Sequence, residues 1–135
     1  KLNALKSTVE GKRVVLVDDS IVRGTTSARI VKLLREAGAK EVHMRISAPP
    51  FKHPCFFGTD IGNREQLIAC QMTIEEIRQK IDADSLGFLS VDHVVKIAAC
   101  AKTDFCAGCF TGNYPVAVPE KLEKDEFMAC VQENA

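Results

Sequence analysis

The chain has 135 residues, enough for one compact domain and too few for two comfortable ones. Its composition, 46% apolar and 27% charged, is that of an ordinary globular protein, and no apolar run approaches the ~20 residues that span a bilayer. Net charge is zero, but residues 1–45 hold ten Lys/Arg against five Asp/Glu, and the remainder holds eight against thirteen. A basic first third suits a polyanionic ligand. Without aromatic interleaving or a dense Lys/Arg run, nucleic acid is not the expected partner. Neither a membrane span nor the apolar core of a secretory signal is found near Lys1, so a cytoplasmic location is the default expectation.

In chain order, Lys12 to Asp18 contains Val14-Val15-Leu16-Val17, four consecutive apolar residues of which three are β-branched. That run predicts a strand buried on both faces, as in a parallel sheet. A loop with Gly24 follows, and Thr25 or Thr26 can cap a helix running to about Ala37. Ile30, Leu33, Leu34 and Ala37 would form its core stripe, with Arg29, Lys32 and Arg35 facing water. Gly38 supplies a left-handed stop, and Glu41 to Ser47 reads as a second strand. Strand, helix, strand in this order makes a right-handed βαβ unit.

Pro49-Pro50 and Pro54 open an irregular stretch reaching about Asn63. Short helices are predicted over 64–70 and 73–81, the second opened by a Thr73–Glu76 capping box. Leu86 to Ser90 reads as a third strand. Val91 to Ala101 reads as a helix capped by Ser90. From Thr103 onward Cys, Gly and Pro dominate, ahead of a polar C-terminal segment with a short final helix. The fold class is therefore α/β, a parallel sheet flanked by helices with an irregular Cys-containing C-terminal segment. Residues 1–102 form the α/β part and 103–135 a tail packed on it. Three strands make a thin sheet, and the abrupt start suggests part of something longer.

The loop after the first strand carries the chemistry. In open parallel sheets ligands bind at the carboxyl ends of the strands. There Asp18 and Asp19 emerge side by side, and Ser20 to Thr26 turns into a helix N-terminus whose N–H groups and dipole suit a phosphate dianion. Gly24 allows close backbone approach, and the two carboxylates can accept from sugar hydroxyls or hold Mg²⁺. A solvated Asp-Asp-Ser turn capping a helix is the plainer alternative. Neither a Walker loop nor a three-glycine dinucleotide fingerprint is present.

Six cysteines, at 55, 70, 100, 106, 109 and 130, are many for a reducing compartment, which leaves buried thiols or metal ligation. Cys106-Ala-Gly-Cys109 is spaced for a shared metal or iron–sulfur cluster, for thiol–disulfide exchange, or by chance. Cys70 and Cys100 are expected to be buried small apolar residues, and Cys130 is left open. His53 stands beside Cys55 as a possible ligand or base, whereas His43 and His93 are expected to be structural or exposed.

The string Val-Asp-Asp-Ser-Ile-Val-Arg-Gly-Thr-Thr-Ser, residues 17–27, resembles the diphosphoribosyl-binding signature of type I phosphoribosyltransferases. With Leu34 to Ala39, Ala48-Pro49-Pro50, His53 to Phe56, Glu65 to Ala69, Glu75 to Arg78 and Cys106 to Gly112, it is similar to the amidophosphoribosyltransferase family. Those glutamine-dependent enzymes open purine biosynthesis. The resemblance implies a partial type I phosphoribosyltransferase fold and, for the parent, displacement of diphosphate from 5-phosphoribosyl-1-diphosphate by ammonia to give 5-phosphoribosylamine.

It implies that Asp18 and Asp19 bind the ribose hydroxyls and contribute to the Mg²⁺ site. Ser20, Ile21, Val22, Arg23, Gly24, Thr25 and Thr26 would wrap the 5-phosphate, mainly through main-chain donors. It further implies a [4Fe–4S] cluster with Cys55, Cys106 and Cys109 as ligands and a fourth ligand outside this chain. Purine nucleotides are the implied feedback ligands. The glutaminase domain and the start of the transferase domain are expected to lie outside this segment, and a homo-oligomer is expected. No residue of the segment is assigned a catalytic role, and the segment alone is expected to be inactive. A phosphoribosyltransferase-fold regulator would be the non-catalytic alternative, and a zinc-binding interaction module a third reading that ignores the acidic pair.

Overall fold

The structure is a computed structural model describing residues 3–59, 61, 64–98 and 105–118. The expected end of the last long helix (99–101), the 102/103 boundary, the C-terminal helix, Cys100 and Cys130 lie outside the described residues. In chain order the elements are α1 (Lys6–Val9), β1 (Arg13–Asp18), α2 (Thr25–Glu36), β2 (Glu41–Ile46), a 3-10 turn (Arg64–Gln66), α3 (Ile68–Gln71), α4 (Ile74–Lys80), β3 (Ser85–Phe88), α5 (Val91–Ala98) and α6 (Gly108–Thr111). The three strands form one parallel sheet in the order β1-β2-β3.

Helices pack on one face of that sheet. Val14 and Leu16 of β1, Val42, Met44 and Ile46 of β2, and Leu86 and Phe88 of β3 point into a core closed by Val31 of α2 and by Ile77 and Ile81 at α4. Val31, Val42, Met44, Ile77 and Ile81 are all fully buried, each contributing roughly 1.5–3 kcal/mol.

The expectation that β1 is buried on both faces is not met, since Val15 is 63% and Val17 69% exposed. Among the described residues β1 has a single neighbour strand, and none of them covers Val15 and Val17. The rest of that face carries a polar row. Arg13 donates to Glu41 at 2.6 Å, and His43 contacts Glu41 and the Ser85 hydroxyl, each at 2.9 Å. Arg45 donates to Ser85 at 3.0 Å. His43 is thus structural, as the sequence suggests.

The core stripe of α2 is met in part: Leu34 packs on the core and Ala37 is buried as predicted, but the innermost positions differ. Ser27 and Val31 are its buried residues, with Ala28 and Leu34 packed beside them, whereas Ile30 and Leu33 are half-buried. The predicted helix over 64–70 is a 3-10 turn followed by the single-turn α3. Both turn signals are found as read. Gly38 takes φ +92°, and the Thr73–Glu76 capping box is complete, each side chain serving the other's backbone N–H. Ser90 accepts the His93 N–H at 3.3 Å at the start of α5.

Arg35 does not face water as expected. It donates to Asp84 at 2.8 Å and to the carbonyls of Asp82 and Lys40. Asp84 also accepts the Val42 N–H at 2.6 Å. That amide bond, with the Arg35 guanidinium, holds the Asp84 carboxyl below its usual range. A depressed folded-state pKa means the contribution is present above the unfolded carboxyl pKa and is lost as pH falls through the folded one. Asp84→Ala should therefore speed hydrogen exchange at the Val42 amide by an amount equivalent to about 1–2 kcal/mol, and Asp84→Asn by less. In the unsubstituted protein, protection at Val42 should weaken only below the usual carboxylate range.

Candidate functional site: a phosphate loop beside a cysteine cluster

β1 ends at Asp18, whose carbonyl accepts both the N–H (2.9 Å) and the hydroxyl (3.2 Å) of Ser47 after β2. The strand end is thereby fixed where the chain leaves the sheet. The Asp18 carboxylate accepts the Asp19 N–H at 3.0 Å, and the Ser20 hydroxyl donates to Asp19 at 3.3 Å. Asp18, Asp19 and every following residue to Ser27 line one open cleft of about 490 Å³. The sequence-assigned loop, Asp18 to Thr26, is thus brought together whole.

Ile21 is 3% exposed in the main core. Val22 packs instead on a second core of Phe51, Cys55, Ile61 and Leu67, and its carbonyl accepts the Ile68 N–H at 2.9 Å. Gly24 is buried at φ +78°, and a Cβ there would stand 2.8 Å from Ile68 Cδ1. Its bare Cα thus meets the protein interior beneath the loop.

Gly24 is also the N-cap of α2, with no side-chain cap, so neither Thr25 nor Thr26 plays the predicted capping role. A left-handed glycine already turns the chain, and both threonines sit inside the helix. The first-turn N–H groups of Thr25, Thr26 and Ser27 therefore have no intrahelical acceptor. Free N–H groups at the positive end of a twelve-residue helix suit an anion.

The cysteines gather on the far side of the second core. Cys55 is buried, and Cys109 is half-buried against the same apolar cluster. The Cys109 carbonyl accepts the N–H groups of Lys52 and His53, both at 3.0 Å, which ties α6 to the Pro-Cys-Phe segment. Phe51 packs on Phe110 at 5.0 Å, Tyr114 meets Phe56 edge-on at 5.1 Å, and the Tyr114 hydroxyl donates to the Pro54 carbonyl at 2.7 Å.

The two inner thiols differ. Burial raises the Cys55 pKa, but hydrogen bonds from the Phe57 and Thr59 backbone, the Thr59 hydroxyl and the Cys109 thiol outweigh it, leaving a net lowering. Burial and the neighbouring Cys55 push Cys109 up to about 11. Cys106 is exposed, with its sulfur 3.5 Å from the Gly108 N–H.

Two expectations change here. Cys70 is exposed, its thiol donating to the Lys52 carbonyl at 3.2 Å, because α3 is one turn long and presents it outward. His53 lies against Gly112, where a Cβ would come within 3.0 Å of the ring, so a packing role accounts for its position. Among the described residues, no three His, Cys, Asp or Glu side chains are placed to hold a single metal ion.

Comparison with known proteins places the chain among phosphoribosyl-transferring enzymes in sequence and fold. Residues 2–52 match the family model of the phosphoribosyl transferase domain. The amidophosphoribosyltransferase of Synechocystis is 51% identical over 128 residues, 95% of this chain and 26% of that protein. That of Bacillus subtilis is 57% identical over 122 residues, 87% of this chain and 26% of that protein. Over most of its length the chain is similar to amidophosphoribosyltransferases. It spans about a quarter of the length of these relatives. Among solved structures, the glutamine phosphoribosylpyrophosphate amidotransferase of B. subtilis, complexed with ADP and GMP, superposes with a TM-score of 0.78 at 55% identity. That match covers 87% of this chain and 27% of the other.

Within this segment, sequence reasoning named the loop and the three cysteines but missed three residues that place them. Ile68 supports Gly24 and holds Val22, Tyr114 clips the Cys-x-x-Cys turn to Pro54, and Gln66 bonds Arg23. Gln66 and Ile68 fall in the Glu65–Ala69 stretch that carries the family resemblance, but nothing in the sequence named their partners, and Tyr114 stood out only as the sole tyrosine.

Gly24→Ala should weaken ribose 5-phosphate binding to the full-length protein by about 1–3 kcal/mol, from the left-handed backbone and the Ile68 clash together. Adding Ile68→Val should restore only the part due to the clash. Unchanged affinity in Gly24→Ala would show that the loop's backbone shape is irrelevant to binding.

Proposed function

We propose that this segment supplies the phosphate- and ribose-binding half of a glutamine-dependent transferase site. The parent enzyme displaces diphosphate from 5-phosphoribosyl-1-diphosphate with ammonia, giving 5-phosphoribosylamine for purine biosynthesis. The observation that carries the reading is the Asp18–Ser27 cleft, with two carboxylates at its strand end and uncapped helix N–H groups at the other. Relatives named for this activity, 45–57% identical over most of the chain, support it.

In this reading the N–H groups of the Ser20–Thr26 loop take the 5-phosphate, and Asp18 and Asp19 accept from the ribose hydroxyls. As the bond at ribose C1 breaks, the ring gains positive character, and carboxylates beside it stabilise that charge. The ammonia comes from a glutaminase domain elsewhere in the same enzyme. A cytoplasmic homo-oligomer regulated by purine nucleotides completes the reading. The bound ADP and GMP of the B. subtilis structure support the nucleotide part.

Two cofactors belong to the proposal. Asp18 and Asp19 fit Mg²⁺, which takes one or two carboxylates plus substrate oxygens. When bound, the metal offsets the charge developing on diphosphate. Cys55, Cys106 and Cys109 fit three ligands of a [4Fe–4S] cluster. Their thiols lie close enough for all three to raise the pKa of the Tyr114 hydroxyl, which burial raises most. A cluster takes each thiolate at a different iron, so the lack of a one-ion site does not count against it. When bound, the cluster cross-links the Pro54–Phe56 and Cys106–Cys109 segments.

Asp18→Asn in the full-length enzyme should lower transferase turnover about a hundredfold while leaving glutaminase activity within a fewfold. Equal loss of both, or of neither, would contradict the assignment. Anaerobically prepared protein should be brown and contain iron, and Cys106→Ser should lose both properties. A colourless, iron-free, active enzyme would rule out the cluster.

A further inference from the structure

Among the described residues, Arg23 is the one cation lining the cleft, to which Asp18 and Asp19 bring two carboxylates. An exposed guanidinium beside two carboxylates tends to pair with one of them, cancelling charge that a phosphate dianion would use. Arg23 makes no such pair among the described residues. Its Nη2 donates instead to the side-chain amide oxygen of Gln66. That acceptor is uncharged, so it orients the guanidinium without neutralising it.

The acceptor is well anchored. Gln66 closes the 3-10 turn, and the next residue, Leu67, is fully buried in the second core. The residue after that, Ile68, donates its N–H to the carbonyl of Val22, the immediate neighbour of Arg23. Loop and acceptor are therefore fixed to each other beside the Arg23–Gln66 contact.

We infer that Gln66 is a positioning residue that holds the Arg23 guanidinium, fully charged and away from Asp18 and Asp19, for the monoester of a ribose 5-phosphate. This rests on the phosphoribosyl reading of the loop and adds to it a specificity determinant 43 residues away. The same chemistry serves the substrate's 5-phosphate and that of a nucleoside monophosphate. An amide at position 66 is the essential feature. A carboxylate would form an ion pair with Arg23 and set a third negative charge near the phosphate.

The test compares unsubstituted full-length protein with Gln66→Glu and the near-isosteric Gln66→Met. Inhibition constants for ribose 5-phosphate and for inorganic diphosphate are measured alongside KM and kcat for 5-phosphoribosyl-1-diphosphate. Gln66→Glu should weaken ribose 5-phosphate roughly fivefold to tenfold at low salt, and the deficit should shrink as salt rises. Gln66→Met should weaken it roughly threefold with no change in salt response, because a mobile arginine must then be ordered on binding. KM should follow these shifts, while diphosphate inhibition, kcat and glutaminase activity stay within twofold.

Unchanged ribose 5-phosphate affinity in Gln66→Glu overturns the inference. So does a parallel loss of ribose 5-phosphate affinity, diphosphate affinity and kcat in both variants, which marks a merely structural residue. Asp18→Asn separates the two levels. If it abolishes transfer while Gln66→Glu is silent, only this inference fails; if it too is silent, the phosphoribosyl reading fails.

Discussion

The loop between β1 and α2 owes its shape to two adjacent apolar side chains that enter different cores. Ile21 is buried in the sheet–helix core, and Val22 packs against Phe51, Cys55, Ile61 and Leu67. Neighbouring side chains that diverge in this way cost the chain its local freedom, and burial on both sides offsets that cost. The backbone between them and the helix can then turn at Gly24, whose interior face is closed by Ile68 and Ile81. An anion-binding loop needs N–H groups held apart from their own carbonyls before the ligand arrives, and this double anchoring is what holds them.

The same division explains why a cysteine-rich segment sits beside the Asp18–Ser27 loop. Val22 and Cys109 pack on one small core, so the loop's outer wall is made of the residues that carry the thiols. The tail is fastened there by the bonds from Lys52 and His53 to Cys109 and from Tyr114 to Pro54. The close fit of Gly108 on Tyr114, where a Cβ would come within 2.4 Å of the ring, fixes the turn between Cys106 and Cys109. A cross-link at these cysteines would rigidify the second core and, through Val22, the loop.

Features written in local chemistry were legible in the sequence. The β1–α2–β2 unit, the Gly38 stop and the Thr73–Glu76 box each depend on residues a few positions apart. The loop was legible because its whole cleft is one contiguous segment. What could not be read depends on partners distant in the chain. Val15 and Val17 look the same in a sequence whether or not anything covers them. In α2, Ile30, Val31, Leu33 and Leu34 are all apolar, so two stripes compete and only packing against β2 selects the one through Val31. Nothing near Cys70 distinguishes it from a buried thiol, and the Arg23–Gln66 contact joins residues 43 apart.

The central claim is that the loop's own N–H groups receive the phosphate of a phosphoribosyl ligand. Amide hydrogen exchange on the full-length protein, with and without saturating ribose 5-phosphate, tests it most directly. The account predicts strong added protection across residues 20–26 and at the first turn of α2, with α4 unchanged. Exchange across residues 20–26 that stays the same at saturation would contradict it.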